Sequence, residues 1–66
     1  MISDLDAFQA AKILIEQHGY DAALRAAERS DELLESGDHE GALVWRMIFR
    51  AVEELQRERR KGEQLN

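Results

Sequence analysis

The segment LLESGDHEGALVWRMI, residues 33–48, decides how this 66-residue chain folds. Its two leucines end one helical pattern, Gly37 interrupts that pattern, and Asp38 starts another that contains the chain's single Trp. Gly is the usual residue just past the end of a helix, and Asp is a preferred N-cap. Because so short a joint folds neighbouring helices back on each other, the segment predicts an antiparallel pair of helices.

The same signals occur upstream of this segment. Ser3 is placed as an N-cap, with Asp6 three residues later in the pattern of a capping box. Gly19 is expected to end the helix that starts there, and Asp21 is expected to cap the next one. Both joints therefore use Gly and then Asp, with at most one residue between them.

These signals predict an all-α fold, a three-helix bundle with a longer C-terminal helix. The expected helices cover residues 4 to about 18, 22 to about 36 and 39 to about 61. Gly62 is expected to end the last of them. We expect residues 1–56 to form the three-helix domain, and residues 57–66 to form a basic, partly frayed helix end and tail.

The composition favours a folded chain that gains stability from a partner. A hydrophobic content of 44% and the absence of Pro argue against disorder. A chain of this length buries only about 60% of the surface that its unfolded form exposes. Small domains usually add disulfides, a metal or a partner chain, and the absence of Cys excludes disulfides. Self-association is the remaining common route.

The charge is unevenly distributed along the chain. Residues 1–45 carry ten acids and three bases, whereas residues 46–66 carry four acids and six bases, giving −7 and +2. An acidic body repels nucleic acid. The N-terminus lacks a signal-peptide pattern, and no apolar segment approaches the roughly 20 residues of a membrane span. We therefore expect a cytoplasmic protein without membrane contact.

The third helix has apolar residues on an unusually large part of its circumference. One stripe contains Val44, Ile48, Ala51 and Leu55, and a second beside it contains Trp45, Phe49 and Val52. A helix of a small monomeric bundle needs only one stripe, about 100° wide. We therefore expect the second stripe, together with the outward-pointing Ile13, to bind another copy or another protein. The alternative is that the third helix lies centrally and all of its apolar residues are core.

Motifs for catalysis or metal binding are incomplete. HEGAL begins like the zinc motif HExxH, but Leu43 occupies the place of the second His. His18 lies at the end of a different predicted helix, and no Ser has a GxSxG setting. Ser30, on an apolar face, is expected to bond to a carbonyl one turn earlier in its own helix. We expect no catalytic residue, no cofactor and no metal, and hence no enzyme.

A basic cluster near the C-terminus offers a second interpretation. The cluster contains Arg57, Arg59, Arg60 and Lys61. Cations at a helix C-terminus complement its dipole, which is a purely structural role. The alternative is a small regulator that contacts nucleic acid or a transcription factor through this tail. Nucleic acid is disfavoured as a partner, because the N-terminal end of the third helix carries Asp38, His39 and Glu40.

Three segments, taken in order, resemble a family of small uncharacterised all-helical proteins that is common in alphaproteobacteria. They are DLDAFQAAKILIEQHGYDAAL, AAERSDELLESGDHEG and VWRMIFRAVEELQ, which together span residues 4–56. The resemblance implies a helical fold unit and supplies no catalytic or binding residues. The apolar third helix, and not the resemblance, predicts a non-enzymatic protein-interaction module that self-associates as a dimer or a higher oligomer.

Overall fold

A computed structural model describes the backbone of residues 2–65 and the side chains of residues 2–57. Its elements are α1 (Asp4–His18), a 3₁₀ turn (Gly19–Asp21), α2 (Ala22–Glu35) and α3 (His39–Leu65). No strand occurs in the described backbone, which confirms the all-α class. The C-terminal helix is the longest, with 27 residues against 15 in α1 and 14 in α2.

The predicted signals at both ends of α1 are confirmed. The Ser3 Oγ accepts a hydrogen bond from the backbone N–H of Asp6 at 3.2 Å, which satisfies one of the free amides of the first turn. At the other end Gly19 has a φ of 60°, and its N–H donates to the carbonyl of Ile15. The helix therefore begins and ends where its cap residues predict.

The joint between α1 and α2 differs from the prediction, because Asp21 makes no side-chain cap hydrogen bond. Asp21 is the last residue of the 3₁₀ turn and has a φ of −83° and a ψ of −3°. An N-cap residue normally has extended backbone, which aims its side chain at the free amides of the next turn. The backbone is instead already helical at Asp21, so the predicted cap at Asp21 is wrong.

The joint between α2 and α3 is built as predicted. Gly37 has a φ of 90°, and its N–H donates to the carbonyl of Leu34 at 3.1 Å. The N–H of Asp38 donates to the carbonyl of Leu33 at 2.8 Å, which completes a Schellman motif. The Oδ1 of Asp38 then accepts from the N–H of Gly41 at 2.9 Å and caps α3. Asp38 thus closes one helix and starts the next.

The far end of α3 lies beyond the predicted boundary. The helix continues through Gly62 to Leu65, so the predicted end at Gly62 is wrong. Gly tolerates helical dihedral angles at a cost of about 1 kcal/mol relative to Ala, and no Pro follows it. Within residues 2–65, none of the helices combines the length and the apolar character that a bilayer span needs.

The core is formed where α1 and α2 both pack on α3, and it consists mainly of Ala. The buried apolar residues are Ala7, Ala11, Ala22, Ala26, Ala42, Ile48, Ala51 and Val52. Larger side chains, among them Phe8, Trp45 and Phe49, are only partly buried against them. Such small residues let helices approach closely, but each removes little apolar area from water.

Candidate interaction surface

The apolar arc of α3 is covered from both sides within the chain. Ala7 and Phe8 of α1 lie beside Met47 and Ala51, whereas α2 lies beside Ala42 and Phe49. At about 100° per residue, these two contact regions are at opposite edges of the arc. Most apolar residues of α3 therefore pack inside the chain, as the alternative of a central third helix predicts.

The four residues predicted to form the interface differ in how far they are buried. Val52 is fully buried inside the chain, so the prediction that it belongs to an exposed ridge is wrong. The reason is that α1 and α2 flank α3 and close over the stripe between them. Trp45 and Phe49 are partly buried against the same core. Ile13 points outward, as predicted, and is 56% exposed.

A hydrogen bond between helices fixes the contact of α2 with α3. The Ser30 Oγ donates to the carbonyl of Ala42 at 2.9 Å. The predicted bond within Ser30's own helix is therefore wrong. Residues 41 and 42 are Gly and Ala, so the first turns of α3 approach α2 closely. The Ser30 hydroxyl can therefore reach the backbone of α3. The bond connects α2 and α3, the two helices that form the walls of a groove.

This groove runs between α2 and α3 and has a volume of about 430 Å³. Ala27 and Leu34 line its α2 wall, and Leu43, Arg46 and Phe49 line its α3 wall. Leu34 and Leu43 are each about half exposed, at 52% and 50%. The groove is therefore a concave apolar surface that is open to solvent and has a cationic edge.

Around the edge of the groove, one side of α3 continues the same surface. Leu43, Arg46, Met47 and Arg50 form this side, which we call the α3 face. None of the four is acidic, although Glu54 follows Arg50 by one turn on the same side, and neither arginine makes an ion pair with any side chain of residues 2–57. Their positions follow the spacing 0, 3, 4 and 7, a helical repeat that was readable in the sequence. Two of its four positions are arginines, so a pattern of apolar residues alone does not indicate it.

The outer side of α2 is different, since its arginines are already paired. Arg25 contacts Glu28 at 3.6 Å, and Arg29 contacts Glu32 at 3.9 Å. All four side chains are more than half exposed, and such pairs contribute little to stability. They do neutralise the surface locally, so α2 presents no unpaired cationic patch there.

The predicted basic cluster falls largely outside the part of the chain with described side chains. Arg57 is exposed and lies beside Tyr20 and Glu53. The side chains of Arg59, Arg60 and Lys61 lie outside residues 2–57. Arg57 is seven and eleven residues after Arg50 and Arg46, so it shares their side of the helix.

The histidines and serines have positions that are accounted for by local structure. His18 and His39 are exposed at the ends of different helices. Among residues 2–57, no three side chains of the metal-binding types lie together. Each serine hydroxyl makes a structural hydrogen bond: Ser3 caps α1, Ser30 joins α2 to α3, and Ser36 donates to the carbonyl of Leu33.

Comparison of the chain with protein-family models, with curated proteins and with solved structures finds no match. The resemblance to small alphaproteobacterial proteins therefore stays a prediction. Function has to be argued from the groove and the α3 face.

Proposed function

We propose that this chain is a non-enzymatic protein-interaction module that self-associates through the exposed side of its third helix. The observation that carries the proposal is the mismatch between a small core and a large exposed apolar surface. Among residues 2–57, six large apolar side chains are at least half exposed: Leu5, Ile13, Tyr20, Leu24, Leu34 and Leu43. Val52, by contrast, is the one large side chain of residues 2–57 that is fully buried.

The energetic argument follows from the sizes of these side chains. Fully burying a Leu contributes about 1.5–3 kcal/mol, so covering the exposed half of one contributes about 1 kcal/mol. Leu34 and Leu43 share one groove, and a partner that fills it would cover both. A fold whose core is mainly Ala gains proportionally more from that contact than a fold with a large core.

The proposed interface is centred on Leu43, whereas the sequence predicts that it is centred on the stripe of Trp45 and Val52. Phe49 stays in it because this side chain lines the groove, and Ile13 stays because it is exposed on α1. Trp45 and Val52 act in the core. Substituting either would reduce folding stability, so neither would report on association alone.

Two finer expectations belong to the same proposal. One is that α1, α2 and α3 act as a three-helix bundle, which is supported by buried residues from all three helices. The other is a cytoplasmic location, which suits a chain without Cys.

Sedimentation equilibrium from micromolar to millimolar concentration tests self-association. We expect the wild-type mass to rise to a dimer or higher, and Leu43→Gln to remain monomeric with unchanged helix content. Leu24→Gln is the matched control, because Leu24 is an equally exposed Leu on α2 that does not line the groove. A wild-type chain that stays monomeric up to millimolar concentration would refute the proposal.

A second candidate function is a regulator that binds nucleic acid, supported by the shared helix side of Arg46, Arg50 and Arg57. Three unpaired or exposed cations along one helix side could contact consecutive phosphates. A gel-shift titration with duplex DNA and with RNA at low and high salt tests it. Binding that weakens with salt and with Arg46→Gln/Arg50→Gln would support it, and no binding at low salt would exclude it.

A further inference from the structure

We infer that the α3 face of one copy binds the outer side of α1 of a second copy, so that copies associate head to tail. The inference rests on the proposed self-association and names the surface that meets Leu43. A second copy is the partner because the two surfaces are complementary in both polarity and charge.

The outer side of α1 is an acidic helix surface with two exposed large apolar residues. Leu5 is 67% exposed and Ile13 is 56% exposed, and both fall within an arc of about 80°. Asp6 and Glu16 are exposed beside them. Lys12, at the edge of this arc, is the one basic residue of α1 other than its terminal His.

The α3 face has the opposite charge and a matching apolar content. Leu43 and Met47 supply its apolar part, and Arg46 and Arg50 supply two cations without an ion pair in residues 2–57. The acids that line the adjoining pockets within the chain are Asp31 across the groove, and Asp4 and Glu54 beside Arg50. The outer side of α1 would place carboxylates against these arginines and apolar side chains against Leu43.

The other surfaces of a second copy fit less well. A symmetric contact between two α3 faces would bring four arginines together, and like charges across an interface are unfavourable. The outer side of α2 also has exposed Leu24, Asp31 and Glu35, but its Arg25 and Arg29, which pair with Glu28 and Glu32 at 3.6 and 3.9 Å, would face the arginines of the α3 face. Among the three helices, α1 therefore offers exposed apolar residues beside acids and without an arginine, which complements the α3 face.

A contact between two different surfaces has a consequence for the size of the assembly. Each copy keeps one unused α1 surface and one unused α3 face after pairing, so association continues to a ring or an open chain. A symmetric contact would instead stop at the dimer. The average mass is therefore expected to keep rising with concentration beyond two chains unless a ring closes.

Mixing two half-defective variants tests this arrangement. Leu43→Gln/Arg46→Gln removes the α3 face, and Leu5→Gln/Ile13→Gln removes the outer side of α1. Each variant alone should be monomeric at a concentration where the wild type associates. The equimolar mixture should form a one-to-one dimer that does not grow, since only one intact contact remains.

The outcomes separate this inference from the proposed function. If the wild type associates but the Leu5→Gln/Ile13→Gln variant associates equally well, the head-to-tail contact is refuted and self-association stands. If the wild type never associates, both are refuted. Circular dichroism establishes that each variant is folded.

A charge variant gives an independent readout if either double variant is unfolded. Glu16→Arg should weaken wild-type association roughly threefold or more, because it places a cation opposite Arg46 and Arg50. Glu35→Arg, an equally exposed position on α2, is the matched control and should leave association unchanged. Equal effects of the two substitutions would refute the assignment of α1 as the partner surface.

Discussion

The two joints of this chain use the same residue types but are held together in different ways. At the second joint, Gly37 and Asp38 make their hydrogen bonds within residues 33–42. At the first joint, Asp21 makes no cap bond, and the carbonyl of Gly19 accepts a local bond from the N–H of Ala22 and a distant one from the Gln56 Nε2 at 2.9 Å. Gln56 is 37 residues away in sequence and is buried on α3.

The difference shows that similar turn sequences can depend on different parts of the fold. A joint whose bonds are local needs only its own residues to form. A joint that is completed by a buried side chain of another helix forms only when that helix is packed against it. The α1–α2 joint should therefore report on the packing of α3, whereas the α2–α3 joint should not.

The largest difference between the joints is expected from substituting their glycines. Gly19 has a φ of 60° and a ψ of −129°, which side chains with a Cβ strongly avoid, so Gly19→Ala should cost about 2–3 kcal/mol. Gly37→Ala, at a φ of 90°, should cost about 1–2 kcal/mol. An added Cβ meets no atom within 4 Å at either position, so backbone conformation alone sets the cost. Urea unfolding followed by circular dichroism measures both, and a larger cost at Gly37 would contradict the comparison.

Removing the long-range bond should have the next largest effect. Gln56→Ala leaves the Gly19 carbonyl with the N–H of Ala22 as its remaining partner and should cost about 1–2 kcal/mol. Glu53→Ala, an exposed position one turn earlier on α3, is the control and should change stability by less than about 0.5 kcal/mol. Amide hydrogen exchange should accelerate at the end of α1 and not at residues 36–41. Equal acceleration at both joints would mean that Gln56 stabilises the whole chain and not the first joint.

Asp21 and Asp38 should differ in what they contribute to stability, although each lies within two residues after a Gly. Asp38→Ala removes the cap of α3 and should cost about 1 kcal/mol. Asp21→Ala removes no hydrogen bond of its side chain and should be nearly neutral. The same urea titrations compare them. If Asp21→Ala proved as costly as Asp38→Ala, Asp21 would stabilise α2 in a way that its backbone conformation does not explain.

The same contrast explains how much of the fold was predictable. The ends of α1 and the α2–α3 joint follow from cap residues within a few positions of each other, and these predictions are confirmed. The Gln56 bond and the Ser30 bond to Ala42 join distant segments, so no local pattern indicates them. The end of α3 differs from the prediction because a Gly ends a helix when it takes a positive φ, whereas the helix continues through Gly62.

The candidate surface was only partly predictable for a related reason. Periodicity showed that α3 is apolar over a broad arc, but not that α1 and α2 would cover both edges and bury Val52. Leu43 belongs to the same helix and is half exposed, because it lies outside that covered arc. Which apolar residue stays exposed depends on where the neighbouring helices pack, and this is set by tertiary contacts.

The smallest effect tests how completely the second joint is local. In α3, a Cβ at Gly41 would lie 2.5 Å from the Oδ2 and 2.9 Å from the Cγ of Asp38, so the cap would have to move. Gly41→Ala alone should therefore be nearly neutral, because the gain of about 1 kcal/mol in helix propensity is offset by the weakened cap. In the Asp38→Ala background no cap remains to be displaced, and Gly41→Ala should stabilise by the full amount of about 1 kcal/mol. A double-mutant cycle measures this coupling. Additive effects would mean that Asp38 adapts to the new Cβ without losing its bond.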